Sequence, residues 1–140
     1  MDNARRPERS RARAWALQVL YRWETTGLEG PLGSLRQTLA AHRVATERRP
    51  HLRRIVEAVE EHLPEIDAAL RSVLENWRLD RLSVIDRSIL RIGAAELLHL
   101  KDVPPAVAIQ EAVRLAERYG GQDSSAFVNG VLDALRKERA

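Results

Sequence analysis

Every apolar stripe in this chain recurs at intervals of three and four residues, and no useful stretch alternates residue by residue. Strands need a period of two and amphipathic helices one of 3.6. The pattern therefore predicts an all-α fold, and prolines and glycines divide it into segments. Residues from about Arg9 to Thr26 carry apolar positions at Ala12, Ala16, Val19, Leu20 and Trp23, and run into Gly27, a natural helix stop. A short helix follows Pro31 through Leu35 and Leu39. Pro50 and Pro64 each suit a first helical turn. The spacing thus predicts one helix through Leu52, Ile55, Val56, Val59 and Leu63, and another through Ile66, Leu70, Val73, Leu74 and Trp77. Ser83 with Asp86 is a carboxylate variant of the capping box, opening a helix over Ile85, Ile89, Leu90, Ile92, Leu97 and Leu98 that ends before Pro104-Pro105. Ala106 to Tyr119 follow, stopped by Gly120-Gly121, and a last segment begins at Asp123. The expected total is about seven helices. Asn76 to Ser83 is the best internal boundary, separating helical halves 1–78 and 79–140 of one domain.

The last segment, Asp123-Ser124-Ser125-Ala126-Phe127-Val128-Asn129-Gly130-Val131-Leu132-Asp133, contains a conflict. Its stripe is helical in spacing, yet Asn129 and Gly130 sit inside it. A glycine in a helix interior costs about 1 kcal/mol relative to alanine. Another backbone or a ligand is expected close against that turn.

A chain of 140 residues can bury a sufficient core without crosslinks or metal. It has no cysteine, which excludes disulfides and thiolate metal sites. No apolar run approaches the length of a membrane span, and the N-terminus lacks a secretory apolar core, so a cytoplasmic protein is expected. The first eight or so residues have no apolar anchor and are expected to fray. The net charge of +3 is modest, but its distribution is uneven. Arg5, Arg6, Arg9, Arg11 and Arg13 cluster at the front, and Arg43, Arg48, Arg49, Arg53 and Arg54 form a second group. Glu57, Glu60, Glu61, Glu65 and Asp67 then reverse the sign. Segregated cations favour a polyanionic partner.

Catalytic patterns do not emerge. His42, His51, His62 and His99 have no ligand spacing such as HExxH, so neither a metal site nor another cofactor is expected. Gly120-Gly121 lacks the GxxxxGK pattern of a phosphate loop, and there is no GxSxG. The chain reads as a binding protein, not an enzyme.

Five pieces in order resemble the NusB family of bacterial transcription antitermination factors. They are Arg11-Ala12-Arg13 with Ala16-Leu17-Gln18-Val19-Leu20-Tyr21; Asn76-Trp77 with Arg81-Leu82; Asp86-Arg87-Ser88-Ile89-Leu90-Arg91 with Glu96-Leu97; Val103-Pro104 with Ala108-Ile109-Gln110-Glu111-Ala112; and Leu115-Ala116 leading to the Asp123–Asp133 run. The chain departs from the family pattern at Gln110, where Asn is common, at Ala95, where an aromatic is common, and at Ala14, where Glu is frequent. The resemblance implies two small packed helical bundles and a noncatalytic role. It implies binding of boxA-type single-stranded leader RNA in ribosomal RNA transcripts, together with a small-subunit ribosomal protein (NusE). It also implies a complex with elongating RNA polymerase and other Nus factors. Two rivals stand beside it: an accessory domain of the kind that precedes ribosomal RNA methyltransferases, and a helical adaptor that binds only protein.

Site residues follow from side-chain chemistry and the resemblance together. Arg9, Arg11 and Arg13 enter the first helix, where guanidinium groups can grip phosphates and stack on bases. Arg9 and Arg13, four apart, share a face, and Arg11 points elsewhere. Gln18 and Tyr21 continue the site as polar and stacking contacts. Asp123 is an N-cap by position, Phe127 a core residue by spacing, and the resemblance adds both, with Ser124, to the RNA site. It also sets Arg81, Asp86 and Arg87 against the ribosomal protein. The cluster from Arg43 to Arg54 reads as a solvated face, with extra attraction for RNA as the alternative.

Overall fold

The structure, a computed structural model, describes residues 5–27 and 29–139. The first helix, α1, spans Arg5–Thr26 and ends where Gly27 adopts φ +69°, a conformation that other residues resist. It begins earlier than the apolar stripe requires. Glu8 is held by Arg48 at 3.0 Å and Arg9 by Asp102 at 3.0 Å, so ion pairs anchor a turn that has no apolar grip. The helix thus includes residues 5–8 of the segment expected to fray, and residues 1–4 lie outside the described part. A second helix, α2, covers Gly30–Ala41 with Leu35 buried.

Pro50 opens a helix as expected, and Pro64 opens the second of its two arms, which run on from each other across a kink. One helix, α3, runs Arg49–Val73 with Pro64 inside it and non-helical angles at His62 (φ −116°, ψ 22°). Proline lacks an N–H and crowds the carbonyl four residues earlier, which kinks a helix. Here it bends the rod without ending it, because both arms face one core. Leu52, Ile55, Val56 and Val59 are buried before the kink, and Ile66, Ala69 and Leu70 after it. The remaining helices are α4 (Val84–His99), α5 (Pro105–Tyr119) and α6 (Ser124–Glu138), with single 3-10 turns at Thr46–Arg48 and Leu79–Arg81. Ser83 caps α4, its Oγ accepting the Asp86 N–H at 3.1 Å.

The all-α expectation holds, with six α-helices among the described residues instead of about seven. Apolar side chains from all six join one core cluster, not two. The helix α4 sits at its centre: every residue from Ser88 to Glu96 is buried, and α1, α3, α5 and α6 pack on it. A helix buried all round must be surrounded by partners. Gly93 permits one of these approaches, since a Cβ there would lie 2.5 Å from Leu132 Cδ1 on α6. No helix among the described residues is long and apolar enough to cross a membrane.

Candidate nucleic-acid interface

A groove of about 1120 Å³ lies between α1 and α5. From α1 it is lined by Arg11, Ala14, Gln18 and Tyr21, which recur at three and four and so share a face. From α5 it is lined by Arg114 and Arg118, four apart, with Tyr119. Arg6 and Arg48 add two further guanidinium groups and Trp15 a third aromatic ring. Tyr21 and Tyr119 are 44% and 45% exposed, so ring surface is open to a ligand. The Arg118 guanidinium lies 5.7 Å from the Tyr119 ring centroid, in cation–π range.

Five arginines line the groove, of which Arg48 is paired with Glu8 and Arg114 with Glu111, the one carboxylate in the lining. That carboxylate is buried and occupied. It accepts the Ser10 hydroxyl at 2.6 Å, Arg13 Nη1 at 3.3 Å and Arg114 Nη1 at 3.2 Å. Ala14 leaves its place on the wall of α1 free of a further carboxylate. Guanidinium groups beside open aromatic faces can grip phosphate and stack bases.

Arg9 and Arg13 lie away from this wall. Arg13 is 2% exposed and its Nε donates to both Glu96 oxygens at 2.9 Å. Glu96 also meets His51 Nε2 at 2.6 Å. Burial pushes the His51 imidazole below its ordinary value, against the pull of Glu96. A neutral His51 then donates Nε2–H to Glu96 and offers Nδ1 to Arg54, 3.5 Å away. Arg9 joins Arg54 on Asp102. The Arg54 guanidinium, with Arg9 behind it, holds the Asp102 carboxyl well below the usual carboxylate range. The front arginines are thus divided: Arg11 faces the groove, Arg13 is locked in the core, and Arg9 ties α1 to the segment after α4.

The other expected residues do not line the groove. Asp123 holds the N-cap position of α6 without a side-chain capping bond. Ser124 supplies a bond instead, its Oγ accepting the Gly121 N–H at 2.9 Å. Ser124 also pins this turn to the end of α5, since a Cβ on Gly120 would lie 2.6 Å from it. Four Cα–Cα steps separate Asp123 from Tyr119, which bounds their separation at about 15 Å. Phe127 is half-buried and meets the exposed Trp77 edge-on, centroids 5.6 Å apart. Arg81 is exposed, whereas the Arg87 guanidinium is used within the chain. Arg87 Nε reaches both Glu24 oxygens at 3.0 Å, and its Nη1 donates to the carbonyls of Leu79 and Leu82. Burial raises the Glu24 carboxyl, but hydrogen bonds from Arg87 and Arg91 outweigh it and hold the group below its usual value. Asp86 keeps one carboxylate oxygen, Oδ1, buried and without a hydrogen-bond partner among the described residues.

Gly130 is not a close-packing residue. It is exposed, and a Cβ there would meet nothing within 4 Å. No backbone among the described residues approaches that turn, which leaves a ligand as the expected neighbour, and the helix bears the glycine's cost in the free chain. Gly130→Ala is expected to stabilise by about 1 kcal/mol and raise the melting temperature by about 4 °C. An unchanged or lower melting temperature would contradict this.

Sequence reading missed Arg114, Arg118 and Tyr119. Their signal was the i, i+4 arginine pair beside the apolar stripe of α5, but nothing local says that α5 faces α1.

The chain is similar to known proteins in both sequence and fold. The model of the NusB family matches residues 10–137. The transcription antitermination protein NusB of Sorangium cellulosum (strain So ce56) is 42% identical over 131 residues, covering 91% of this chain and 90% of that one. A solved structure of T. maritima NusB superposes with a TM-score of 0.82 at 37% identity, covering 93% of this chain and 91% of that one. A structure of the antitermination factors NusB and NusE in complex with double-stranded RNA gives 0.83 at 31% identity, over 95% and 98% of the two chains. With the family model spanning nearly all of the sequence and the helices superposing throughout, this chain belongs to the NusB family, whose members are transcription antitermination proteins and not enzymes.

Proposed function

We propose that the chain binds single-stranded boxA-type leader RNA of ribosomal RNA transcripts in the α1–α5 groove. It does so with the small-subunit ribosomal protein NusE, and the assembly joins elongating RNA polymerase and other Nus factors in the cytoplasm. The observation that carries this reading is the groove itself, with five arginines and three aromatic rings on one surface. The solved relative holding both NusE and RNA supports the two partners. Arg11, Gln18 and Tyr21 form the α1 wall, and Arg114, Arg118 and Tyr119 the α5 wall. Asp123, Ser124 and Phe127 extend the surface beyond Tyr119 toward Trp77. Arg9 and Arg13 act through α1, holding it so that Arg11 faces the strand. Arg81, before α4, and Asp86, in its first turn, meet the ribosomal protein, and Arg87 braces the segment before α4 through the carbonyls of Leu79 and Leu82.

Open tyrosine faces favour an unpaired strand, because paired and stacked bases cannot reach them. The chain is expected to bind a boxA-type strand more tightly than the same strand in a duplex. If about four phosphates are neutralised, log affinity should fall with log salt at a slope of roughly −3. Fluorescence titration of labelled RNA at several salt concentrations measures both. A flat salt dependence, or a preference for the duplex, would remove the groove as the site.

A further inference from the structure

The kink in α3 assembles a second group of polar side chains that the groove does not use. His62 leaves helical geometry there, and its ring stacks on His99, the last residue of α4. The two centroids are 3.8 Å apart with planes within 6° of parallel. His62 Nδ1 faces Glu65 Oε1 at 3.6 Å, and its Nε2 faces Glu61 Oε2 at 3.7 Å. His99 Nε2 is buried and has no hydrogen-bond partner among the described residues. One ligand atom each from His62, Glu65 and His99 lies within 4.8 Å of the others.

Two imidazoles and a carboxylate are a donor set for borderline transition metals, whereas calcium and magnesium prefer oxygen alone. A metal-bound imidazole usually gives its other N–H to a carboxylate, which fixes the ring. Glu61 stands behind the second nitrogen of His62 in that position. An orphaned buried ring nitrogen calls for a partner, and His99 Nε2 has none among the described residues. Lone pairs of parallel rings are themselves parallel, so capture of one ion by both imidazoles turns the rings out of the stack.

We propose that His62, Glu65 and His99 form a binding site for a divalent transition-metal ion of the zinc class, with water completing a tetrahedral shell. The ion ties the kink of α3 to the end of α4. Neither helix spacing nor a short motif announces the site, because its two histidines come from different helices. The proposal stands independently of the RNA reading.

Calorimetric titration of the untagged, metal-free chain with zinc chloride tests it, together with histidine side-chain NMR. One zinc per chain is expected, with a dissociation constant on the order of 1 μM, weaker than four-ligand zinc sites because water fills one position. The ring resonances of His62 and His99 should move, and those of His42 and His51 should not. Glu61→Gln should weaken binding about tenfold, and His99→Gln should abolish it at micromolar zinc. His62→Gln, at a more open position, carries the same test if His99→Gln fails to fold by circular dichroism. Absence of binding below ~100 μM overturns the site. So does undiminished affinity in a folded His62 or His99 variant, or zinc-dependent shifts confined to His42 and His51.

Discussion

Glu96→Ala is expected to lower folding stability by about 3–5 kcal/mol, far more than a surface substitution in this chain would cost. Glu96 is 1% exposed and accepts from Arg13 and His51 at once. Removing it leaves a 2% exposed guanidinium whose remaining carboxylate partner is Glu111, at 3.3 Å. A buried charge deprived of its partner costs far more than the pair contributes over an apolar replacement. The loss should appear as a melting temperature lower by roughly 10–20 °C. Glu96→Gln, which keeps the shape and the acceptor oxygen, should lose less. A change below about 0.5 kcal/mol would be the behaviour of a surface residue, and would mean that this network does not form in solution.

Tyr21→Ala is expected to weaken RNA binding by about 5- to 150-fold while leaving the melting temperature nearly unchanged, since stacking of a base on an aromatic side chain contributes about 1–3 kcal/mol. The ring is 44% exposed, so its removal opens no core cavity. Tyr21→Phe keeps the stacking face and should bind within a few-fold of the native chain. Arg11→Ala, on the same wall, should reduce the salt slope by about 0.7 for each phosphate it no longer neutralises. Anisotropy titrations beside thermal melts separate these effects from unfolding. If Tyr21→Ala bound RNA as tightly as the native chain, the α1 wall would not be where bases stack.

Local features carried much of the fold into the sequence. Ala12, Ala16, Val19 and Leu20 repeat at helical spacing and are all buried. Gly27 stops α1 through its positive φ, and Ser83 caps α4 through its hydroxyl. These signals act within one turn, which is why they can be read from neighbours. Pro64 shows where such reading ends. Its disruption is local, but the decision to bend rather than stop belongs to the core packing of both arms of α3. The candidate site was legible in the same partial way. Arg11, Gln18 and Tyr21 share a helix face, and that face lines the groove. Arg13 carries the same chemistry two residues from Arg11, yet it is buried because Glu96 and Glu111 wait for it on α4 and α5. No pattern within α1 distinguishes a guanidinium that will meet solvent from one that will meet a carboxylate far along the chain. The same holds for Arg114 and Arg118, whose role depends on which helix lies opposite.

The two-faced character of α1 also limits how the sequence can drift. An α-helix turns by about 100° per residue. Insertion or deletion of a single residue between Arg11 and Tyr21 would swing one end of the rod against the other, carrying Gln18 or Tyr21 toward the interior and an aliphatic side chain into the open. Gains and losses of length are therefore expected in connections such as the one between α2 and α3 and not within this decade of residues.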